Sequence, residues 1–115
     1  MGSKGRGRRA RPQPSAGSMM KQVQELQAQL QQAQEELAHE TVEVSAGGGV
    51  VTVVMSGERE VLSVAIDPDA VDPEEVDMLQ DLVMAAVNEA LRKSRELAEQ
   101  KMAPLTDALN MAGLL

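Results

Sequence analysis

The chain has 115 residues, enough for one domain, and no cysteine, which excludes disulfides, cysteine-based zinc sites and thiol nucleophiles. It contains no Phe, Tyr or Trp, so its core must be built from Val, Leu, Ala and eight Met, and base stacking on aromatic rings is excluded as a way of holding single strands. The net charge of −7 is unevenly divided: residues 1–18 carry five cations and no acid, whereas the rest of the chain holds 6 bases against 18 acids. No apolar run approaches the ~18 residues needed to span a bilayer, and no hydrophobic segment follows the basic start as it would in a signal peptide.

Lys4, Arg6, Arg8, Arg9 and Arg11 lie among Gly, Pro and Ser in residues 1–18. Such a segment has too little apolar surface to offset the entropy of ordering, so it is predicted to be disordered when free. A basic arm on an acidic body suits a polyanion. Met1-Gly2-Ser3 is also how vector-derived leaders begin, so native arm and leader stand as two readings.

The first periodic segment opens at Met19. Met19, Val23, Leu26, Leu30, Ala33 and Leu37 recur at spacings of four and three, which predicts a helix of about 22 residues with one narrow apolar stripe. Uncharged glutamines fill the space between. Glu35, Glu36 and Glu40 sit at the C-terminal end, where the helix dipole disfavours acids, and are expected to fray the last turn. The only histidine, His39, lies beside them and reads as a solvent-exposed side chain.

Residues 41–66 are three runs rich in β-branched side chains, separated by Gly47-Gly48-Gly49 and by Gly57-Glu58-Arg59-Glu60. Breaks this short allow hairpins but no parallel crossover, so the runs predict an antiparallel three-stranded meander. Val51, Val53 and Met55 point to one face of the middle strand, and Val50, Thr52 and Val54 to the other. Both faces read as largely apolar, so one covering layer is not expected to suffice. The triple glycine lacks the Lys-Ser/Thr of a phosphate loop and is followed by a strand, so it reads as a turn.

Asp67-Pro68 stops the last strand. Asp72, Pro73 and Glu75 then fit the N-cap, first and third positions of a second helix, predicted to run to about Lys101. As oxygen ligands, Asp67, Asp69, Asp72 and Glu75 lack the alternation and the glycine of an EF-hand loop, so capping is the reading taken. Val76, Leu79, Val83, Ala86, Ala90 and Leu97, widened by Leu82, Val87 and Leu91, make a stripe broader than one partner surface needs. Arg92, Lys93, Arg95 and Lys101 turn the later part basic. They fit a solvated face with favourable dipole placement, or a phosphate-contacting strip. Pro104 is expected to end the helix, leaving a short helical turn over 106–111. No catalytic constellation is legible.

In order, Met20-Lys21-Gln22, Ser45-Ala46-Gly47-Gly48-Gly49-Val50-Val51-Thr52-Val53, Gly57, Ile66-Asp67-Pro68, Met78-Leu79-Gln80-Asp81-Leu82-Val83, Ala86-Val87-Asn88-Glu89-Ala90 and Glu99-Gln100-Lys101-Met102 resemble the YbaB/EbfC family of bacterial nucleoid-associated proteins. The resemblance covers about residues 19–105. It implies an α+β protomer of helix, three strands and long helix, an intertwined homodimer with protruding helical arms, and a cytoplasmic, nucleoid-bound protein that binds double-stranded DNA and affects gene expression. Two departures stand out: the chain ends without the Pro-Gly-Phe-like tail of many members, and its basic lead is longer than expected.

The expected organisation is thus a disordered arm over 1–18, a domain over 19–105 and a tail over 106–115. Double-stranded DNA and a second copy are the expected partners, with no membrane, small-molecule substrate, cofactor, metal or enzymatic activity. The candidate DNA contacts are Lys4, Arg6, Arg8, Arg9 and Arg11 of the arm, Lys21 and Lys101 by resemblance, and Arg92, Lys93 and Arg95 by charge and helix position. A dimeric protein-interaction module with no nucleic-acid role is the competing reading.

Overall fold

The computed structural model describes residues 15–113. Helix α1 spans Ala16–His39, strands β1, β2 and β3 span Thr41–Ala46, Val51–Ser56 and Val61–Ile66, and helix α2 spans Val76–Met111. The strands form one antiparallel sheet in the order β1-β2-β3, as the sequence predicts. The expected disorder of residues 1–18 falls mostly outside the described residues. Within them, α1 begins three residues before Met19, because the Ser15 hydroxyl accepts from the Ser18 amide and caps the helix.

The core forms where α2 crosses β1 and β2. Val51, Val53 and Met55 are buried from solvent beneath Ala86 and Ala90, with Val44 beside them and Leu79, Leu82, Val83, Val87 and Leu91 around the rim. Small residues at 86, 90 and 94 let the helix backbone come close to the sheet. Ser94 is wholly buried, and its hydroxyl donates to the Ser56 carbonyl at 2.8 Å. The Ser56 hydroxyl in turn accepts from the Glu58 and Glu60 amides, so one small buried network ties α2 to the β2–β3 turn.

The two faces of the sheet are unequal, which corrects the expectation of two apolar faces. Val42, Val44 and Ala46 pair with Met55, Val53 and Val51 on the helix side. On the reverse side Val54 lies opposite Glu43 and Ser63, and Thr52 hydrogen-bonds Ser45. The uncovered apolar surface is instead on the helix side of β3. A bulge places both Val61 and Leu62 against Met55, and Val64 and Ile66 pair with Val53 and Val51. All four are exposed, because α2 covers β1 and β2 and stops short of β3.

Each connection has a specific cause. Gly47, Gly48 and Gly49 all take positive φ, and a Cβ on Gly47 would lie 2.9 Å from a Leu82 methyl. In the β2–β3 turn the left-handed residue is Arg59, while Gly57 is needed for another reason. A Cβ on Gly57 would lie 2.7 Å from the Leu37 carbonyl oxygen, and its amide donates to the Glu40 carbonyl at 2.9 Å. The end of α1 therefore rests directly on this turn.

Three further expectations are revised. Asp72 caps a 3-10 turn, Pro73–Glu75, by accepting from the Glu74 amide, and α2 starts only at Val76. The last turn of α1 is intact through His39, and the side chain of His39 is exposed. Pro104 does not end α2: the helix runs through it to Met111 and closes on Gly113 in the left-handed conformation. The chain beyond Pro104 stays helical because Leu105 and Ala108 lie along α1, facing Gln29, Ala33 and Leu26 across shallow clefts. Contact with α1 outweighs the single backbone hydrogen bond that the proline removes. The apolar stripe of α1 is correspondingly graded, with Leu37 and Ala33 buried, Leu30 and Leu26 half-buried, and Val23 and Met19 exposed.

Gly57→Ala should destabilise the fold by about 1–3 kcal/mol, the cost typical of forcing extra volume into a packed contact. Gly17→Ala, whose Cβ would meet only the Ser15 hydroxyl at 3.8 Å, should not destabilise it. The midpoints of urea unfolding for the two variants check this.

Candidate nucleic-acid interface

The candidate cations separate into three groups. Lys4, Arg6, Arg8, Arg9 and Arg11 lie outside the described residues; the described chain begins at Ser15, at the N-terminal end of α1 and well away from the sheet. Lys21 is exposed on the next turn of α1, and the first turn of that helix carries no acid.

Arg92, Lys93 and Arg95 do not form a strip. Successive helical residues turn by about 100°, so with Ser94 facing the sheet, Lys93 and Arg95 flank the buried face on opposite sides and Arg92 points outward. Arg92 is also committed, its guanidinium gripping the carboxylates of Glu89 and Glu96 one turn away on either side. The Arg92 hydrogen bond holds the Glu89 carboxyl below its ordinary range, and Glu89 in turn pushes the Arg92 guanidinium higher. Lys93 and Arg95 are exposed and make no ion pair with another described residue.

Lys101 is differently placed. Its side chain is only 21% exposed, and its ammonium sits 2.8 Å from a Glu36 oxygen and 2.5 Å from a Glu40 oxygen. Gln32 donates to the other Glu36 oxygen. One cation thus bridges the last turn of α1 and the first residue after it, Glu40, whose carbonyl also accepts from Gly57. The acids that the helix dipole disfavours are held in place by a charge from the other helix. Sequence reasoning missed this clasp, although a signal existed: Lys101 follows Ser94 by seven residues and precedes Ala108 by seven, which puts it on the inward face of α2.

The Lys101 hydrogen bond and charge lower the Glu36 carboxyl from its usual 4.5, and the two glutamates raise Lys101 above its usual 10.5. What Glu36 contributes to stability is therefore complete above pH 4.5 and is lost as the pH falls through its depressed value. What Lys101 contributes is complete below 10.5 and is lost as the pH rises through its elevated value.

Acidic side chains dominate the opposite end of α2. Asp67, Asp69, Asp72, Glu74, Glu75, Asp77 and Asp81 occur with no base among them. Among the described residues, the exposed cations without an ion-pair partner are Lys21 near the start of α1, Arg59 in the β2–β3 turn, and Lys93 and Arg95 on the flanks of α2, none of them within the acidic run.

The chain is an α+β protomer of helix, three-stranded antiparallel sheet and long helix. Residues 13–109 match the model of the YbaB/EbfC DNA-binding family. A nucleoid-associated protein of Alkaliphilus metalliredigens is 50% identical over 101 residues, which span 88% of this chain and 89% of that one. One of Syntrophobacter fumaroxidans is 56% identical over 95 residues, spanning 83% and 86% of the two chains. In fold, the chain is similar to an uncharacterized protein from Helicobacter pylori, with a TM-score of 0.64 at 20% identity over 85% of this chain and 97% of the other. This chain belongs to the YbaB/EbfC DNA-binding family. No described helix is long and apolar enough to cross a membrane.

If the clasp stabilises the joint as described, Glu36→Gln should lower the melting temperature at pH 7. The difference from the parent chain should close as the pH falls below 4.5, where the parent carboxyl takes up its proton. Thermal melts of both chains from pH 3 to 8 check this; a difference independent of pH would mean that Glu36 acts through packing and not through its charge.

Proposed function

We propose that the protein is a homodimeric nucleoid-associated protein that holds duplex DNA mainly by its phosphates, with little sequence discrimination, and so affects nucleoid organisation and gene expression. The observation that carries the reading is the separation of charge in a member of a DNA-binding family: five cations within residues 1–18, joined to the acid-free start of α1, on a remainder that is strongly acidic. A duplex has to meet local positive charge, and Lys21, Lys93 and Arg95 extend what the basic segment offers. Arg92 and Lys101 are weaker candidates, since their charges already serve carboxylates within the chain. No aromatic wedge is available, so bidentate contacts of Arg with guanine are the source of whatever discrimination there is.

A second copy is the partner that fits the open side of the sheet. β3 is an edge strand whose helix-side face exposes Val61, Leu62, Val64 and Ile66, and an antiparallel edge is self-complementary about a two-fold axis. Buried against its own copy, this surface would complete a core that α2 leaves half covered.

Sedimentation at low micromolar concentration should give twice the chain mass. Val64 is 45% exposed in the single chain; in a monomer, Val64→Glu would change stability by no more than about 0.5 kcal/mol. In the dimer it should abolish association, and a stable, unaltered Val64→Glu dimer would refute this use of the surface.

Binding to duplex should weaken steeply with salt. If about five phosphates are contacted at once, the logarithm of the affinity should fall against that of salt concentration with a slope near −4.5. Deleting residues 1–14 should flatten the slope and weaken binding alike on duplexes of different sequence. Absence of binding even at about 50 mM salt, where the electrostatic attraction is strong, would favour the protein-interaction module instead.

A further inference from the structure

We propose that Lys101 is a positioning residue for DNA binding and not a phosphate contact: the Glu36–Lys101–Glu40 clasp keeps the two helices of the arm together, and so fixes where the arm presents its basic end. This deepens the DNA-binding reading above and rests on it.

The arm is an antiparallel pair, α1 against the last third of α2. Its base is anchored twice. α1 is seated by the Leu37–Gly57 approach and by the Gly57–Glu40 hydrogen bond, and α2 by the Ser94–Ser56 hydrogen bond. Beyond the Ser94–Ser56 hydrogen bond, α2 runs on along α1, and Lys101 also reaches Glu40 just past its end. That contact is thin: Leu26, Leu30, Leu105 and Ala108 are half-buried, and an open cleft of about 340 Å³ between the helices is lined by Gln29, Ala33, Gln100, Pro104 and Leu105 and crossed by the Lys101–Glu36 contact.

Helix α2 is weakest where this contact begins. Pro104 has no amide to give the Gln100 carbonyl, so the helical hydrogen-bond ladder is interrupted three residues after Lys101. A helix with a missing rung bends readily, and beyond it only the half-buried Leu105 and Ala108 hold α2 against α1. The clasp sits at the turn just before it. The ammonium touches two carboxylates that belong to different parts of the joint, Glu36 in the last turn of α1 and Glu40 at the exit to β1. A single pair would leave rotation about one contact free, whereas two contacts fix a direction as well as a distance.

This also explains why the least exposed lysine of the described chain is at this position. A phosphate reaching Lys101 would have to displace two carboxylates and enter a cleft lined by acids, where the local field repels it. Lys21, exposed and without an ion pair to another described residue, lies towards the other end of the arm, and its placement depends on the two helices staying together.

The chain has no cysteine, so spin labels at Gln24→Cys and Asn110→Cys, both exposed, report the separation of the two helices without background. Labelled chain diluted into unlabelled chain isolates the distance within one protomer. In the full-length protein the distance distribution should be narrow. K101E should broaden it and lengthen its mean, and weaken binding to a fixed duplex about ten-fold or more. The charge swap K101E/E36K has the parent's net charge and returns a cation to the joint; it should restore both the narrow distribution and most of the affinity. K101M, which keeps the stem but not the charge, should open the arm while leaving the salt slope of binding as steep as in the parent.

If Lys101 instead contacts phosphate, K101M lowers the slope by about 0.9 for each chain engaged, the label distance does not move, and the clasp proposal is overturned. An arm that stays closed in both K101E and K101M overturns it equally. Failure of the parent chain to bind any duplex would defeat the DNA reading itself, whereas the spin-label distances test the clasp separately from it.

Discussion

The structure depends on how closely α2 can lie on β1 and β2. With no aromatic side chain available, the only way to exclude water from Val51, Val53 and Met55 is to bring a helix backbone down onto them. Ala86, Ala90 and Ser94 allow this, being small and one turn apart. A larger residue at any of the three would lift the helix and leave voids that Val and Met could not fill. Ser94 adds direction to the contact, since its buried hydroxyl has to find the Ser56 carbonyl. The β2–β3 turn is fixed by that bond on one side and by Leu37 on the other. Both helices of the arm therefore take their starting positions from one four-residue connection.

Charge is arranged around this core in two ways that the net figure conceals. Some cations are consumed internally: Arg92 is shared between two glutamates on its own helix, and Lys101 joins two across the arm. The first kind of pair is exposed and contributes little to stability. The second is better shielded and joins residues distant in sequence, so its main effect is on geometry. The remaining described cations, Lys21, Arg59, Lys93 and Arg95, lie outside the acidic run 67–81. In the proposed DNA-binding reading, repulsion from that run would disfavour a duplex lying along the whole body.

The topology of the sheet was legible. Three β-branched runs and two glycine-containing breaks gave strands over 41–46, 50–56 and 61–66 with the correct neighbours, because hairpin connections leave no other topology; the middle strand starts only at Val51, and its reverse face is more polar than expected. The role of Gly57 was not legible, since it answers to a carbonyl twenty residues away and not to its own backbone angles. Pro104 misled for a related reason: its local cost is real, but contacts with α1 that no local rule reports outweigh it. The basic strip at 92–95 was an artefact of reading charge along the chain instead of around the helix. Lys101 lay among the candidate DNA contacts by resemblance, at the Glu99-Gln100-Lys101-Met102 end of the helix; only its register with Ser94 and Ala108 betrays that it faces inward.

The over-wide stripe of α2 and the exposed face of β3 are one observation seen from two sides. A helix that packs on two strands of a three-stranded sheet leaves the third strand and its own flank half covered. Here the half-covered residues are Val61, Leu62, Val64 and Ile66 rather than polar substitutes. The bulge at Leu62 makes this more pronounced by turning an extra apolar side chain to the same side. Edge strands of monomeric proteins are ordinarily blunted by charge, proline or a covering loop, and β3 has none of these until Asp67-Pro68 ends it. The reverse face, with Glu43, Ser45, Thr52 and Ser63, can stay in water, so the exposed large apolar side chains of the sheet lie on this one strip. A symmetric pair of such strips would set the two arms at a fixed separation, and the stiffness of each arm at Lys101 would then determine how constant that separation stays.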